Sequence, residues 1–165
     1  MQKHDMIIYE FKDNYYFIQR SRQVRDREVS PSENTALTQK LTVSADVCEI
    51  GNAVLIALNN YDKIPPVYSP WELDELRKQL CVWVGARSYR TLVKNSRLVL
   101  VDKDFGKKKI YVFPFDNHNI DPWETMLVKR AGRLDFSASA ADVGKAVVKA
   151  FSVATYHPER KDPSL

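Results

Sequence analysis

The chain has 165 residues, 44% of them hydrophobic and 28% charged, enough apolar material for one domain with a core of its own. Its net charge of +4 and pI near 9.0 permit a polyanionic partner without requiring one. No run approaches the roughly 18 apolar residues that span a bilayer, and Met1 to Asp5 lacks the basic-then-apolar start of a secretory signal, so a cytoplasmic protein with no membrane partner is expected.

Met6 to Phe11 and Tyr15 to Gln19 are rich in β-branched and aromatic residues and flank Asp13-Asn14, which predicts a tight hairpin. The polar stretch Ser21 to Thr35 predicts an irregular connection. Its arginines Arg22, Arg25 and Arg27, with Arg20 just before them and Asp26 and Glu28 close by, read as solvated loop charge. Leu37 to Val43 alternates and predicts a third strand. Ser44 then precedes a helix from about Asp46 to Asn60, in which Val47, Ile50, Val54 and Leu58 recur at helical spacing.

Pro65-Pro66 marks a rigid break. Ser69, Pro70 and Glu72 have the spacing of a capped helix start, Leu73, Leu76, Leu80 and Val84 give that helix an apolar face, and Gly85 is its stop. Ser88 predicts the cap of a short helix carrying Tyr89, Leu92 and Val93. A second hairpin is predicted from Arg97 to Asp102 and Lys109 to Phe113, with Gly106 supplying positive φ in the turn. Lys107 to Lys109 beside Asp102 and Asp104 also read as solvated. An irregular segment from Phe115 to Lys129, a strand from Arg133 to Phe136 and a helix from Ala140 to Thr155 capped by Ser139 complete the chain.

Leu41 to Leu58 and Leu134 to Phe151, ninety-three positions apart, are close to the same segment twice. Gly51 and Gly144 occupy matching positions inside the two helices, where glycine costs about 1 kcal/mol relative to Ala, which points to a close approach of backbones. The expected fold is therefore α+β, one domain over 1–165. Two duplicated ββ-β-α units, about 5–60 and 97–155, form an antiparallel sheet with helices packed on it, and a helical linker at about 69–95 joins them.

Chemistry is sparse. Phosphate-loop, dinucleotide, CxxC and HExxH patterns are all missing, so no enzyme, cofactor or metal is expected. Cys48 and Cys81 sit in apolar helical patterns and read as buried reduced thiols. His118 shares the stretch from Asp116 to Asp121 with two carboxylates, yet no second His or Cys completes a site. Trp123, among Asp116, Asp121 and Glu124, is either a plug over the core or an anchor for a partner. Tyr9, Tyr15, Tyr16 and Phe17 either alternate between the core and the wet face of a sheet or stack single-stranded nucleic acid, with Arg20 and Arg22 on its phosphates.

Several segments carry a family likeness. Ser44-Ala45-Asp46-Val47-Cys48-Glu49-Ile50-Gly51-Asn52-Ala53-Val54, Ser88-Tyr89-Arg90-Thr91-Leu92-Val93-Lys94-Asn95 leading into Arg97-Leu98-Val99-Leu100-Val101, and Ile110-Tyr111-Val112-Phe113-Pro114 resemble the immunity proteins of bacterial contact-dependent growth inhibition, the CdiI group. The likeness runs from about Ala36 to Ala154. It implies a small cytoplasmic protein that binds the C-terminal toxin domain of a cognate CdiA effector, many such toxins being nucleases that often act on tRNA. Inhibitors of basic nucleases are commonly acidic, whereas this chain is basic, so either local acidic loops make the contact or the toxin is not strongly basic. Asp116, Asp121, Trp123 and Glu124 form the toxin-binding patch expected from composition, with Ser21 to Thr35 a rival and nucleic-acid binding through the aromatic hairpin the competing function.

Overall fold

Strand β1 (Lys3–Phe11) has an apolar side chain on both sides of the pleat: Met6 and Ile8 enter one core, Ile7, Tyr9 and Phe11 another. A strand buried on both faces needs covering layers above and below it. The computed structural model describes residues 3–25, 28–61, 69–117 and 125–155, and both layers are present. After β1 come β2 (Asn14–Arg25), β3 (Glu28–Thr42), α1 (Val47–Asn59), α2 (Pro70–Val84), α3 (Tyr89–Lys94), β4 (Arg97–Asp104) and β5 (Lys109–Asp116). Then follow β6 (Thr125–Met126), a 3-10 turn (Val128–Arg130), β7 (Gly132–Asp135) and α4 (Ala140–Phe151).

The strands are ordered β3-β2-β1-β4-β5, each antiparallel to its neighbours, and β7 and β6 divide the far edge of β5 between them. Helices α1 and α4 cover one face, where Ile50, Val54, Val143 and Val147 meet Met6, Ile8, Phe17, Val99 and Val112. On the other face Leu80 and Val84 of α2 and Leu92 of α3 meet Ile7, Tyr9, Tyr16 and Leu98. Helices α2 and α3 thus supply the second covering layer.

Caps set the helix starts. The Asp46 carboxylate accepts from Cys48 N while Glu49 reaches back to Asp46 N, and Ser139 with Asp142 repeats the same reciprocal box on α4. Ser69 caps α2 and Gly85 ends it in the left-handed region at φ 70°.

Several sequence-based expectations give way to the structure. The first turn is formed by Lys12 and Asp13, at φ 50° and 58°, the double positive φ of a two-residue hairpin whose twist matches its strands. In the second hairpin the positive φ belongs to Lys108, at 51°, and not to Gly106. The stretch Ser21 to Thr35 is not an irregular loop: β2 and β3 stay paired out to Arg25 and Glu28, with register shifts on the way. Backbone pairing carries a ribbon without apolar alternation, which is why its polar sequence conceals it. Pro65-Pro66 lies outside the described residues.

Gly51 and Gly144 explain how α1 meets α4. A Cβ built on Gly51 would stand 2.5 Å from the carbonyl carbon of Ala140, and one on Gly144 would stand 2.6 Å from that of Val47. Each helix therefore seats its glycine on the first turn of the other, and the two contacts are related by the ninety-three-residue spacing of the sequence match. The ends of these helices are tied to the sheet. Gln19 Nε2 donates to Ala57 O and His4 Nδ1 to Leu58 O, at 2.9 and 3.0 Å. Arg97 forms a two-pronged pair with the buried Glu10 and donates to Phe151 O at 2.9 Å, closing the end of α4. Beside that pair the Tyr15 phenol is pushed up, first by burial and then by the Glu10 charge, with Arg97 opposing.

Candidate functional site

The acidic stretch predicted to bind a partner leaves and rejoins the sheet at one point. Asp116 pairs with Thr125 across β5 and β6, and Leu127 N donates to Pro114 O at 2.8 Å, so the two ends of 118–124 are held side by side. Asp121, Trp123, Glu124 and His118 themselves lie outside the described residues. Asp116 has internal work to do. Its Oδ1 accepts from Thr155 Oγ1 at 2.7 Å, that hydroxyl accepts from Asn117 N at 2.9 Å, and Thr155 N donates to Phe115 O at 3.1 Å. The buried Asn117 also donates through Nδ2 to Ser96 O at 2.8 Å and to Val93 O, fixing the exit of β5 against the end of α3. Helix α4 stops at Phe151 and not at Thr155, because Thr155 is drawn into this clasp.

From β6 the chain runs directly into an open groove of about 840 Å³ between the 3-10 turn, β7 and α4. Its lining holds five cations, Lys129, Arg130, Arg133, Lys145 and Lys149, against two carboxylates, Asp135 and Asp142. All seven are exposed. Both acids are already occupied. Asp135 is ion-paired with Lys109, and Asp142 caps α4 through Ser139. Both carboxyls are held below the usual carboxylate range, Asp135 chiefly by its bond to Lys109 and Asp142 chiefly by its bond to the Ser139 hydroxyl. None of the five cations forms an ion pair with a described residue. Between them the floor is small and apolar, with Gly132 lying against Ala146. Sequence reasoning missed this groove because its charges come from two stretches that meet only in the fold; each left a local signal, Lys129, Arg130 and Arg133 within five residues, and Lys145 and Lys149 one helical turn apart.

The competing surface is closed. Tyr9, Tyr15, Tyr16 and Phe17 are 1%, 5%, 3% and 0% exposed, since the sheet is covered on both faces where they lie, so these four rings are closed to stacking bases. Arg20, read as solvated, bridges to Asp5 at 3.1 Å. The side chains of Arg22 and Arg25 and the whole of Arg27 lie outside the description. Of the cysteines Cys81 is buried as expected, but Cys48 is exposed, on the solvent side of α1's first turn. Its thiol is pushed up chiefly by a hydrogen bond to Asp46, which disfavours the reactive thiolate. Among the described residues no group of three or more His, Cys, Asp or Glu is placed to hold a metal, and no helix is long and apolar enough to cross a membrane.

The family model of the CDI immunity protein, CdiI, matches residues 5–154. The chain belongs to that family. The match extends further toward the N-terminus than the segments that carry the likeness by eye, taking in β1 to β3. No curated protein matches the sequence. Among solved structures, the Neisseria meningitidis protein of unknown function NMB0488 is similar at 17% identity and a TM-score of 0.70, over 93% of this chain and 96% of that one. A chain of the CdiA-CT/CdiI toxin and immunity complex from Yersinia pseudotuberculosis is similar at 15% identity and a TM-score of 0.69, over 94% of this chain and 99% of that one. At these identities the two likenesses show the fold alone.

Proposed function

We propose that this protein binds and neutralises the C-terminal toxin domain of a CdiA effector in the cell that makes both, and that the toxin is a nuclease. The observation that carries the first part is the match of the immunity-protein family over residues 5–154. The likeness to a chain of a toxin and immunity complex along nearly its whole length supports it. A pure inhibitor needs a rigid frame and a complementary surface, and this fold supplies the frame: two covering layers, reciprocal helix contacts and a β5 edge with clasped loop ends.

Part of the contact surface is the segment between Asn117 and Thr125, with Trp123 as its anchor and Asp121 and Glu124 as its charges. Asp116, held by Thr155, sets the base of that segment. Replacing Trp123 by Ala then weakens toxin binding at least tenfold with little change in melting temperature; unchanged affinity with a large loss of stability would assign the indole to the core.

The decisive assay mixes the cognate toxin domain with tRNA and with plasmid DNA, alone and with an equimolar amount of this protein. Cleavage by the toxin alone and protection in the mixture are expected. A toxin that is bound and neutralised yet cleaves neither substrate would overturn the nuclease assignment, and a toxin that is not bound would overturn the whole reading.

A further inference from the structure

Among the described residues the groove between β7 and α4 holds five cations against two carboxylates, and the attraction of Asp135 for Arg133 and of Asp142 for Lys145 offsets that excess only in part. Lys145 and Lys149 stand one turn apart on α4, Arg133 lies on the neighbouring strand, and Lys129 and Arg130 close the end, all exposed and none in an ion pair with a described residue. Like charges so gathered repel one another and cost stability, and an opposite charge arriving from outside relieves the repulsion.

We propose that this groove receives an acidic segment of the toxin domain, whose carboxylates meet Lys145, Lys149 and Arg133. The proposal rests on the immunity reading and names the chemistry of the partner's face. It accounts for the basic balance of this chain: the inhibitor does not imitate a phosphate backbone but meets carboxylates on the toxin.

Two features favour a protein segment over nucleic acid. Among the described residues the lining contains no aromatic side chain on which a base could stack, and its floor of Gly132, Ala138, Ala146 and Ala150 leaves room for a partner's side chains to lie close to the backbone. Asp135 and Asp142, both ionised, stand among the cations. They interrupt the positive track that a continuous phosphate backbone would follow and leave discrete positions suited to separate carboxylates.

The test measures association of the purified cognate toxin domain with the full chain by stopped flow at several salt concentrations. The variants are Lys145→Ala/Lys149→Ala and Arg133→Ala, with Arg90→Ala on α3, under the other face of the sheet, as the control. All are exposed positions, and circular dichroism checks that each variant is folded. Losing cations that steer encounter should slow association about tenfold for the double variant and flatten its salt dependence, with the control unchanged. Salt dependence of the wild-type chain provides a readout that needs no variant: association must slow as salt rises.

Groove variants that associate at the wild-type rate with the wild-type salt slope would overturn the proposal. So would a tRNA-binding assay in which the same substitutions abolish binding while toxin association is untouched, because the groove would then serve nucleic acid. If the wild-type chain fails to bind the toxin at all, the immunity reading falls first and this proposal with it; wild-type binding with insensitive variants would sink the groove alone.

Discussion

Replacing Gly51 or Gly144 with Ala places a methyl group where the partner helix has backbone. At Gly51 the new Cβ would lie 2.5 Å from the carbonyl carbon of Ala140 and 3.0 Å from its Cα, and at Gly144 2.6 and 3.1 Å from those of Val47. A carbonyl in the first turn of a helix cannot rotate aside as a flexible side chain would, so the helices must move apart by roughly 1.5 Å to bring the carbonyl oxygen back to ordinary contact. That shift loosens the interleaved packing of Ile50, Val54, Val143 and Val147, all fully buried. Overpacking of this kind costs about 3 kcal/mol, and the better helix propensity of Ala returns about 1 kcal/mol, leaving a net loss of about 2 kcal/mol. For a chain of this size that lowers the melting temperature by about 4–8 °C. The two substitutions share one interface, so the double variant should lose clearly less than the sum of the singles, because the separation forced by the first relieves the second. Equilibrium urea unfolding of the two singles and the double measures all three values. Singles that are neutral or more stable, as propensity alone would make them, would refute the reciprocal contact; strictly additive losses would refute a shared interface.

The Arg97 and Glu10 pair should behave as a partly buried ion pair. Arg97→Ala removes the two-pronged partner of the buried Glu10 carboxylate and is expected to cost about 3 kcal/mol in urea unfolding, while Arg97→Met combined with Glu10→Gln recovers much of that loss. The Asp142 carboxyl, lowered chiefly by the Ser139 hydroxyl, contributes stability that is complete above the ordinary carboxylate pKa and fades as pH falls through the depressed folded value. Acid unfolding should therefore be less steep in Asp142→Asn than in the wild type. An NMR titration that places the Asp142 midpoint at or above the ordinary value would contradict that linkage.

What the sequence made legible was local, and what it hid depended on contacts distant along the chain. The caps at Ser69, Ser88 and Ser139 and the stop at Gly85 fall where the sequence predicts them, because a capping side chain bonds to amides two or three residues on. The antiparallel sheet with helices on it was also readable, from apolar strands and helical spacing. The second covering layer was not: nothing in the segment Pro70–Val84 says which sheet face its Leu80 and Val84 will meet, so the aromatic hairpin reads as alternating between core and wet face where all four of Tyr9, Tyr15, Tyr16 and Phe17 are buried. The long β2–β3 ribbon was hidden by its polar composition. The basic groove escaped notice because Arg133, Lys129 and the α4 lysines converge only after β7 has paired with β5. Asp121, Trp123 and Glu124 lie outside the described residues, and the sheet places only the flanking Asp116 and Thr125 side by side.

The most direct test of immunity is growth. The cognate toxin domain, expressed in bacteria from a tightly controlled promoter, should halt growth alone. With this chain co-expressed, growth should be restored and the two proteins should purify together as one complex. Growth that stays arrested, with the toxin demonstrably active and this protein folded and abundant, would contradict protection by direct binding.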